Sequence, residues 1–198
     1  TYSIYAVNDM GNGAVSTAAP IIVKPADWIV MTNGEAIVES GKTYHFYDAA
    51  GPNAYYPNTR NDTLTIRPQN SNGLVHVSFK QFVTDTYGDY LYIFDGADTN
   101  APLIGEFTST SVPSALVSLE STSIDGALTF VFYSDVMSRD EGWEDDVTVA
   151  EKKTHDLMAV SLKGDLYPGA ESETIYAFTI RNKGVDKVAA TDYKVKLL

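Results

Sequence analysis

Apolar and polar residues alternate in short runs along most of this chain. In GLVHVSFKQF (73–82), Val75, Val77 and Phe79 fall on one face of a strand. In the stretch after Gly88, Leu91 and Ile93 share a face with Asp89 and Asp95. The same period of two runs through YSIYAVNDM (2–10), WIVM from 28, AIVE from about 36, YHFYD from 44 and FVFYSD (130–135). A turn at Gly11-Asn12-Gly13 predicts that Ala14 to Val23 returns beside the first strand as a hairpin. No stretch holds a helical period over three turns. Tyr, Thr, Val, Phe and Ile fill the apolar positions, and Gly, Asn, Asp and Pro separate the runs. The pattern predicts an all-β fold, an antiparallel sandwich of short strands.

Two breaks divide the pattern. Lys24-Pro25-Ala26-Asp27 reads as a linker, and so does the charged AEKKTH (150–155). The expected pieces are 1–25, 26–152 and 153–198, a central sandwich between two partial domains. The chain starts in mid-pattern at Thr1, as a mature or excised fragment would. One hairpin is marginal in water by itself, so the first piece is expected to dock, and a composite sandwich with strands from 156–198 is one way to do so.

Charge narrows the partners. The 198 residues carry a net charge of −12. Residues 1–150 hold 6 Lys and Arg against 19 Asp and Glu, whereas residues 151–198 hold 8 against 7. An acidic body repels nucleic acid and anionic membranes and suits cations, basic protein partners or neutral glycans. Cysteine is absent, which excludes disulfides and thiolate chemistry. No apolar run approaches the ~20 residues of a membrane span, so no membrane insertion is expected. The three histidines, His45, His76 and His155, are too dispersed for a zinc triad. With no nucleophile elbow either, the reading is noncatalytic. Tyr90, Tyr92 and Phe94 lie opposite Leu91 and Ile93, either packing across strands or offering a surface to sugars.

Ordered motifs in the central piece resemble bacterial CUB domains. They comprise Asp48-Ala49-Ala50-Gly51-Pro52, Tyr56-Pro57-Asn58, Leu64-Thr65-Ile66-Arg67-Pro68, and the pair Phe79 and Phe82. Asp85 follows Phe82 by three positions, Asp89 precedes Leu91-x-Ile93-x-Asp95-Gly96, and Phe132-x-Ser134-Asp135 is followed seven residues on by Gly142-Trp143. The resemblance covers about residues 43–149 and implies a jelly-roll β-sandwich with a calcium site. Asp85, Asp89 and Asp135 stand at the ligand positions, and Met137, in the place of a family serine, would offer its carbonyl. Three carboxylates brought together repel unless a cation joins them, and Ca²⁺ takes six to eight hard oxygens.

The same resemblance implies a tip that grips basic side chains of protein partners, with Tyr87 and Asp140 among the contacts. Gly88 stands where the family keeps a tyrosine, with Tyr87 displaced by one. Glu144, Asp145 and Asp146 read, with Asp140 and Glu141, as a solvated acidic rim. The first piece resembles the last hairpin of a fibronectin type III domain. The last, from Asp156-Leu157 through Pro168-Gly169 and Ile180-x-Asn182-x-Gly184 to TDYKVKLL, resembles the start of a bacterial cell-adhesion-related Ig-like domain. Asp62-Thr63-Leu64 resembles the O-glycosylation signal of Bacteroidetes secreted proteins.

The resulting expectation is an all-β, CUB-like sandwich flanked by partial Ig/fibronectin-like pieces. It would serve as a calcium-binding adhesion or recognition module on a bacterial surface or in the extracellular medium, taking a protein or glycan partner. The alternative is an accessory region that targets a secreted peptidase or glycan-degrading enzyme.

Overall fold

The computed structural model describes residues 24–164, 176–189 and 194, together with the backbone of four short strands before residue 18. Those four are β1 (Ser3–Ile4), β2 (Val7–Asn8), β3 (Gly11–Asn12) and β4 (Ser16–Thr17). β1 pairs with β4 and β2 with β3, both antiparallel, so the expected hairpin forms. Its bend differs from expectation. Asn8 lies opposite Gly11, which makes Gly11 and Asn12, read above as a turn, strand residues. The rest of that segment, Pro168-Gly169 and most of TDYKVKLL lie outside the described residues.

Residues 28–151 build two five-stranded sheets. The strands are β5 (Trp28–Val30), β6 (Gly34–Val38), β7 (Tyr44–Tyr47), β8 (Arg60–Pro68), β9 (Gly73–Val83), β10 (Tyr90–Phe94), β11 (Leu103–Phe107), β12 (Leu119–Glu120), β13 (Leu128–Ser134) and β14 (Gly142–Glu151). One sheet has the order β11-β10-β13-β8-β6 and the other β12-β9-β14-β7-β5. Pairing is antiparallel except at one margin, where β5 runs parallel to β7 and β6 parallel to β8. The three residues between β5 and β6 carry the chain from one sheet to the other, so these two edge strands cannot form a hairpin with each other. No helix among the described residues is long and apolar enough to cross a membrane.

The alternation read from the sequence sets the core. Val75, Val77, Phe79, Phe82, Leu91 and Ile93 all face inward and are buried. Phe130 and Phe132 lie beside Ile93 and Leu91 in one sheet, facing β9 in the other, and Trp143 joins the two sheets, with ring centroids 5.0 Å from Phe132 and 5.7 Å from Phe46. Removing such a fully buried aromatic costs about 3–5 kcal/mol. Tyr90, Tyr92 and Phe94 point outward, half-buried, and Tyr90 packs against Tyr92 at 6.2 Å.

Beyond the sandwich, β15 (Leu157–Lys163) and β16 (Ala177–Asn182) form a separate antiparallel pair. The described strands of the first and last pieces therefore lie in different two-stranded sheets. The stretch read as a linker is strapped down by the chain leaving β16. Lys183 N–H donates to Asp156 O (2.7 Å), Val185 N–H to Lys153 O (3.0 Å) and Asp186 N–H to Thr154 O (3.1 Å).

Candidate metal and partner site at the sandwich tip

β10 starts, β13 ends and β14 starts at the same pole of the sandwich, because Tyr90 pairs with Tyr133 and Gly142 with Val83. The period of two that buries Leu91 and Ile93 also buries Asp89, one residue before the strand. An acid in that position must be partnered, and the neighbouring loops do so. Its Oδ2 accepts from the Tyr56 hydroxyl at 2.6 Å, and its Oδ1 accepts from the Asp135 N–H at 2.8 Å. The same Tyr56 hydroxyl accepts from the Asp85 N–H at 2.8 Å. Asp89 and Tyr56 thus tie the loop after β9 to the end of β13. Burial raises the Asp89 carboxyl above its usual range. The two hydrogen bonds oppose that shift, and the Asp135 and Asp85 carboxylates add to it.

Asp89 and Tyr56 thus link the loops that carry Asp85 and Asp135, with Asp89 inside and the other two half-exposed. Asp85 Oδ1 accepts from its own loop at Tyr87 N–H (3.2 Å), and Asp135 Oδ1 from Met137 N–H (2.7 Å). Among the described residues, each leaves its Oδ2 without a hydrogen bond. Asp135 Oδ2 lies over Gly88, where an added Cβ would sit 2.3 Å away. The donors are right in kind for calcium, but among the described residues no three acidic or histidine side chains close to a single metal-holding group. Met137 O, the carbonyl offered above as a ligand, accepts from Asn58 Nδ2 at 2.8 Å, and Val136 O shares that donor at 3.0 Å. Tyr87 is 92% exposed, with Val136 and Met137 also exposed beside the acids. Asp140 is half-buried, and its carbonyl accepts from Tyr56 N–H at 3.2 Å.

Tyr56 and Asn58 organise this tip, and sequence reasoning gives neither a role in it. The Tyr56-Pro57-Asn58 motif is the available signal, but a motif does not say which acid a hydroxyl will reach.

The acidic rim needs correction. Glu144 and Asp146 are half-exposed, and Asp146 pairs with Lys80 (2.6 Å) and His45 (3.0 Å). Asp145 is fully buried between Trp143 and Val147 on the inward face of β14, and neither carboxylate oxygen has a partner among the described residues. Burial, reinforced by the Asp146 and Glu144 carboxylates, pushes its carboxyl well above the usual range. The alternation Trp143, Asp145, Val147 is the signal that could have revealed it. A second sequestered acid, Asp48, accepts from Ala50 N–H at 2.7 Å while its Oδ2 is left unpaired. Burial lifts it to about 7 against the backbone N–H groups around it. Gly142 closes over that carboxylate at φ +75°, where a Cβ would fall 1.9 Å from Asp48 Oδ2, so only glycine fits there.

Among solved structures, the full extracellular region of zebrafish Gpr126/Adgrg6 matches with 15% identity and a TM-score of 0.48, covering 66% of this chain and 16% of that one. The CUB1-EGF-CUB2 region of human MASP-1/3 matches with 16% identity and a TM-score of 0.48, covering 74% of this chain and 48% of that one. The MASP-1 CUB2 domain, a structure bound to Ca²⁺, matches with 19% identity and a TM-score of 0.44, covering 59% of this chain and 98% of that one. The chain thus spans less than half the length of the first two structures. CUB domains commonly mediate protein interactions and are typically extracellular. The CUB domain profile matches residues 36–146, more than half of the sequence, and the chain belongs to the CUB domain family.

Proposed function

We propose that this chain is a noncatalytic, calcium-binding recognition module of a bacterial cell-surface or secreted protein, and that its acidic tip engages basic side chains of a protein partner. One observation carries the reading. Asp89 is buried at the entry of β10 and hydrogen-bonded to both neighbouring loops, with the Asp85 and Asp135 carboxylates half-exposed on either side. Asp85, Asp89 and Asp135 would hold the ion, with Met137 O joining if Asn58 releases it. Bound calcium would neutralise the mutual repulsion of the acids and fix the loops that carry them.

Beside the ion, the exposed side chains of Tyr87, Val136 and Met137 give the aliphatic stem of a lysine an apolar surface, and Asp140 adds negative charge. An adhesion role follows from placing such a tip on a surface protein, with the first and last pieces belonging to fibronectin- and Ig-like neighbours.

The test is thermal unfolding with calcium and with chelator. At 100 times the dissociation constant, the ion should stabilise the protein by about 2.7 kcal/mol. That gain should vanish in Asp135→Ala. An equal gain in both proteins, or none in the wild type, rejects the site.

A further inference from the structure

The strongest unassigned feature lies at the other pole. β8 ends and β13 begins there, since Leu128 pairs with Ile66. The loop that precedes β13 faces the segment leaving β16 across a cleft of about 540 Å³, within the ~300–1,000 Å³ typical of ligand pockets. Thr122, Ser123 and Ile124 line one wall, and Arg181, Lys183 and Lys187 line the other.

The cations here differ from those of the sandwich. Lys42, Arg60, Arg67 and Lys80 each pair with a carboxylate. At the cleft, Lys152 donates among the described residues only to the carbonyls of Ser71 and Ile124, both at 2.7 Å. Among the described residues, the Arg181 guanidinium reaches only the Thr122 hydroxyl, at 3.5 Å. Lys183 and Lys187 have no carboxylate partner among the described residues.

Two acids also line the cleft. Asp95 accepts from the Ser121 hydroxyl, from the Thr122 N–H and hydroxyl, and from the Ser123 N–H, so its lone pairs are taken up by the loop after β12. Asp186 lies 3.7 Å from His155 Nε2. In a chain of net charge −12, Lys152, Arg181, Lys183 and Lys187 outnumber the two carboxylates around this concavity among the described residues, an arrangement that favours an anion.

The cationic wall is also held in place. The backbone hydrogen bonds of Lys183, Val185 and Asp186 fasten it to the chain leaving β14. Gly184 allows the close approach, since a Cβ there would fall 2.7 Å from Thr154 O and from Asp156 N. Those bonds bear on the kind of ligand as well. The N–H groups of Ser121, Gly126, Lys183, Val185 and Asp186 are all satisfied within the chain, so an acidic peptide could not add to either wall as a strand. What remains are charged groups, the oxygens of the Thr122 and Ser123 hydroxyls, which donate to Asp95 and Asp125 and can still accept from a ligand, and the exposed side chains of Ile124 and Val185 at the rim.

We infer that this cleft binds an anionic glycan, a saccharide bearing carboxylate or sulfate groups. Arg181, Lys183 and Lys187 meet the acid groups, Thr122 and Ser123 meet ring hydroxyls, and Ile124 and Val185 cover the nonpolar edge of the ring. The site is independent of the calcium tip.

Calorimetric titration of the whole chain in chelator tests it. The probes are a galacturonic acid oligomer, a heparin-derived oligosaccharide, a neutral maltose oligomer and pentaglutamate. Binding of either acidic glycan, weakening with salt and absent for the neutral oligomer, is expected, and the choice between the two identifies the acid group. The double substitution Arg181→Gln with Lys183→Gln should lower affinity by about tenfold or more with unchanged circular dichroism, while Asp135→Ala leaves it as it was. The inference falls if no acidic glycan binds at about 1 mM, which is the weak end of specific affinity. It also falls if the double variant binds equally well, or if pentaglutamate binds as tightly as the glycans.

Discussion

Asp89 and Asp145 occupy equivalent kinds of position. Each faces inward, Asp145 from within β14 and Asp89 from the residue before β10, each is sealed from solvent, and burial raises the carboxyl of each. Their surroundings are opposite. Asp89 sits at a strand entry, where loops fold over it and supply a hydroxyl and a backbone N–H. Asp145 sits within its strand, with a strand paired on each side, opposite Phe46 and Phe79 and next to a register shift at Glu144/Asp145. Neither of its oxygens finds a donor. A buried acid at a strand end can therefore organise a site, whereas one inside the strand only weakens the sheet that holds it.

The largest test of that contrast removes the partnered acid. Asp89→Ala leaves the Tyr56 hydroxyl and the Asp135 N–H without their acceptor and unties the two loops. A loss of about 3 kcal/mol is expected, since bonds to charged groups contribute ~1.5–3 kcal/mol each and the orphaned donors add their desolvation cost. Urea unfolding in chelator measures it free of any metal contribution. A loss below ~0.5 kcal/mol, the range of an ordinary surface change, would mean that Asp89 is not the tie between the loops.

Removing the unpartnered acid should act the other way. Asp145→Val replaces two unsatisfied oxygens with an apolar side chain suited to a strand, and a gain of about 2 kcal/mol at pH 7 is expected. The pH dependence carries the same signature. Unfolded Asp titrates near 3.9, while folded Asp145 titrates well above that and folded Asp48 at about 7. The native state keeps protons that the unfolded chain has released, so stability is full below about pH 4 and falls as pH rises toward 7. Asp145→Val should remove part of that decline. Asp48→Asn should remove a further part, because the amide oxygen still accepts from the Ala50 N–H but carries no charge. A stability that instead rises across this interval, followed by chemical denaturation, would break the comparison.

The same two residues show how far the sequence could be read. Alternation located β9, β10 and β13 and gave the inward faces of Val75, Val77, Phe79, Leu91 and Ile93 correctly. It also placed Asp89 on the core side at the strand entry. Applied to Trp143, Asp145 and Val147, the same rule would have found the buried acid, but five acids within seven residues (140–146) read as a charged surface. Composition there outweighed period, and period was right. Other features carried no local signal. The reach of the Tyr56 hydroxyl to Asp89 spans 33 positions, and the grip of Asn58 on the 136–137 carbonyls spans 78 and 79. Contacts of that kind follow from the assembled sandwich. So does the parallel pairing of β5 and β6 with their neighbours, which depends on where the chain changes sheets and not on the pattern inside either strand.

The smallest expected effect on stability comes at Gly88, and it separates the structural role of the tip from its proposed chemistry. A Cβ there would meet the Asp135 carboxylate 2.3 Å away, so in Gly88→Ala that side chain must turn. The backbone of Asp135 need not follow, because its N–H is bound to Asp89 Oδ1 and its carbonyl accepts from Thr59 N–H at 2.7 Å. The carboxylate can swing at the expense of its single bond to Met137 N–H, an exposed contact whose loss costs at most about 0.5–1.5 kcal/mol. Without calcium, the midpoint of Gly88→Ala should stay within a few degrees of the wild type. With calcium, the stabilisation should shrink, because one of the three acids has been turned from its place beside Asp89. An unchanged calcium response would free Asp135 from any part in holding the ion and leave its backbone N–H, bound to Asp89, as its contribution to the tip.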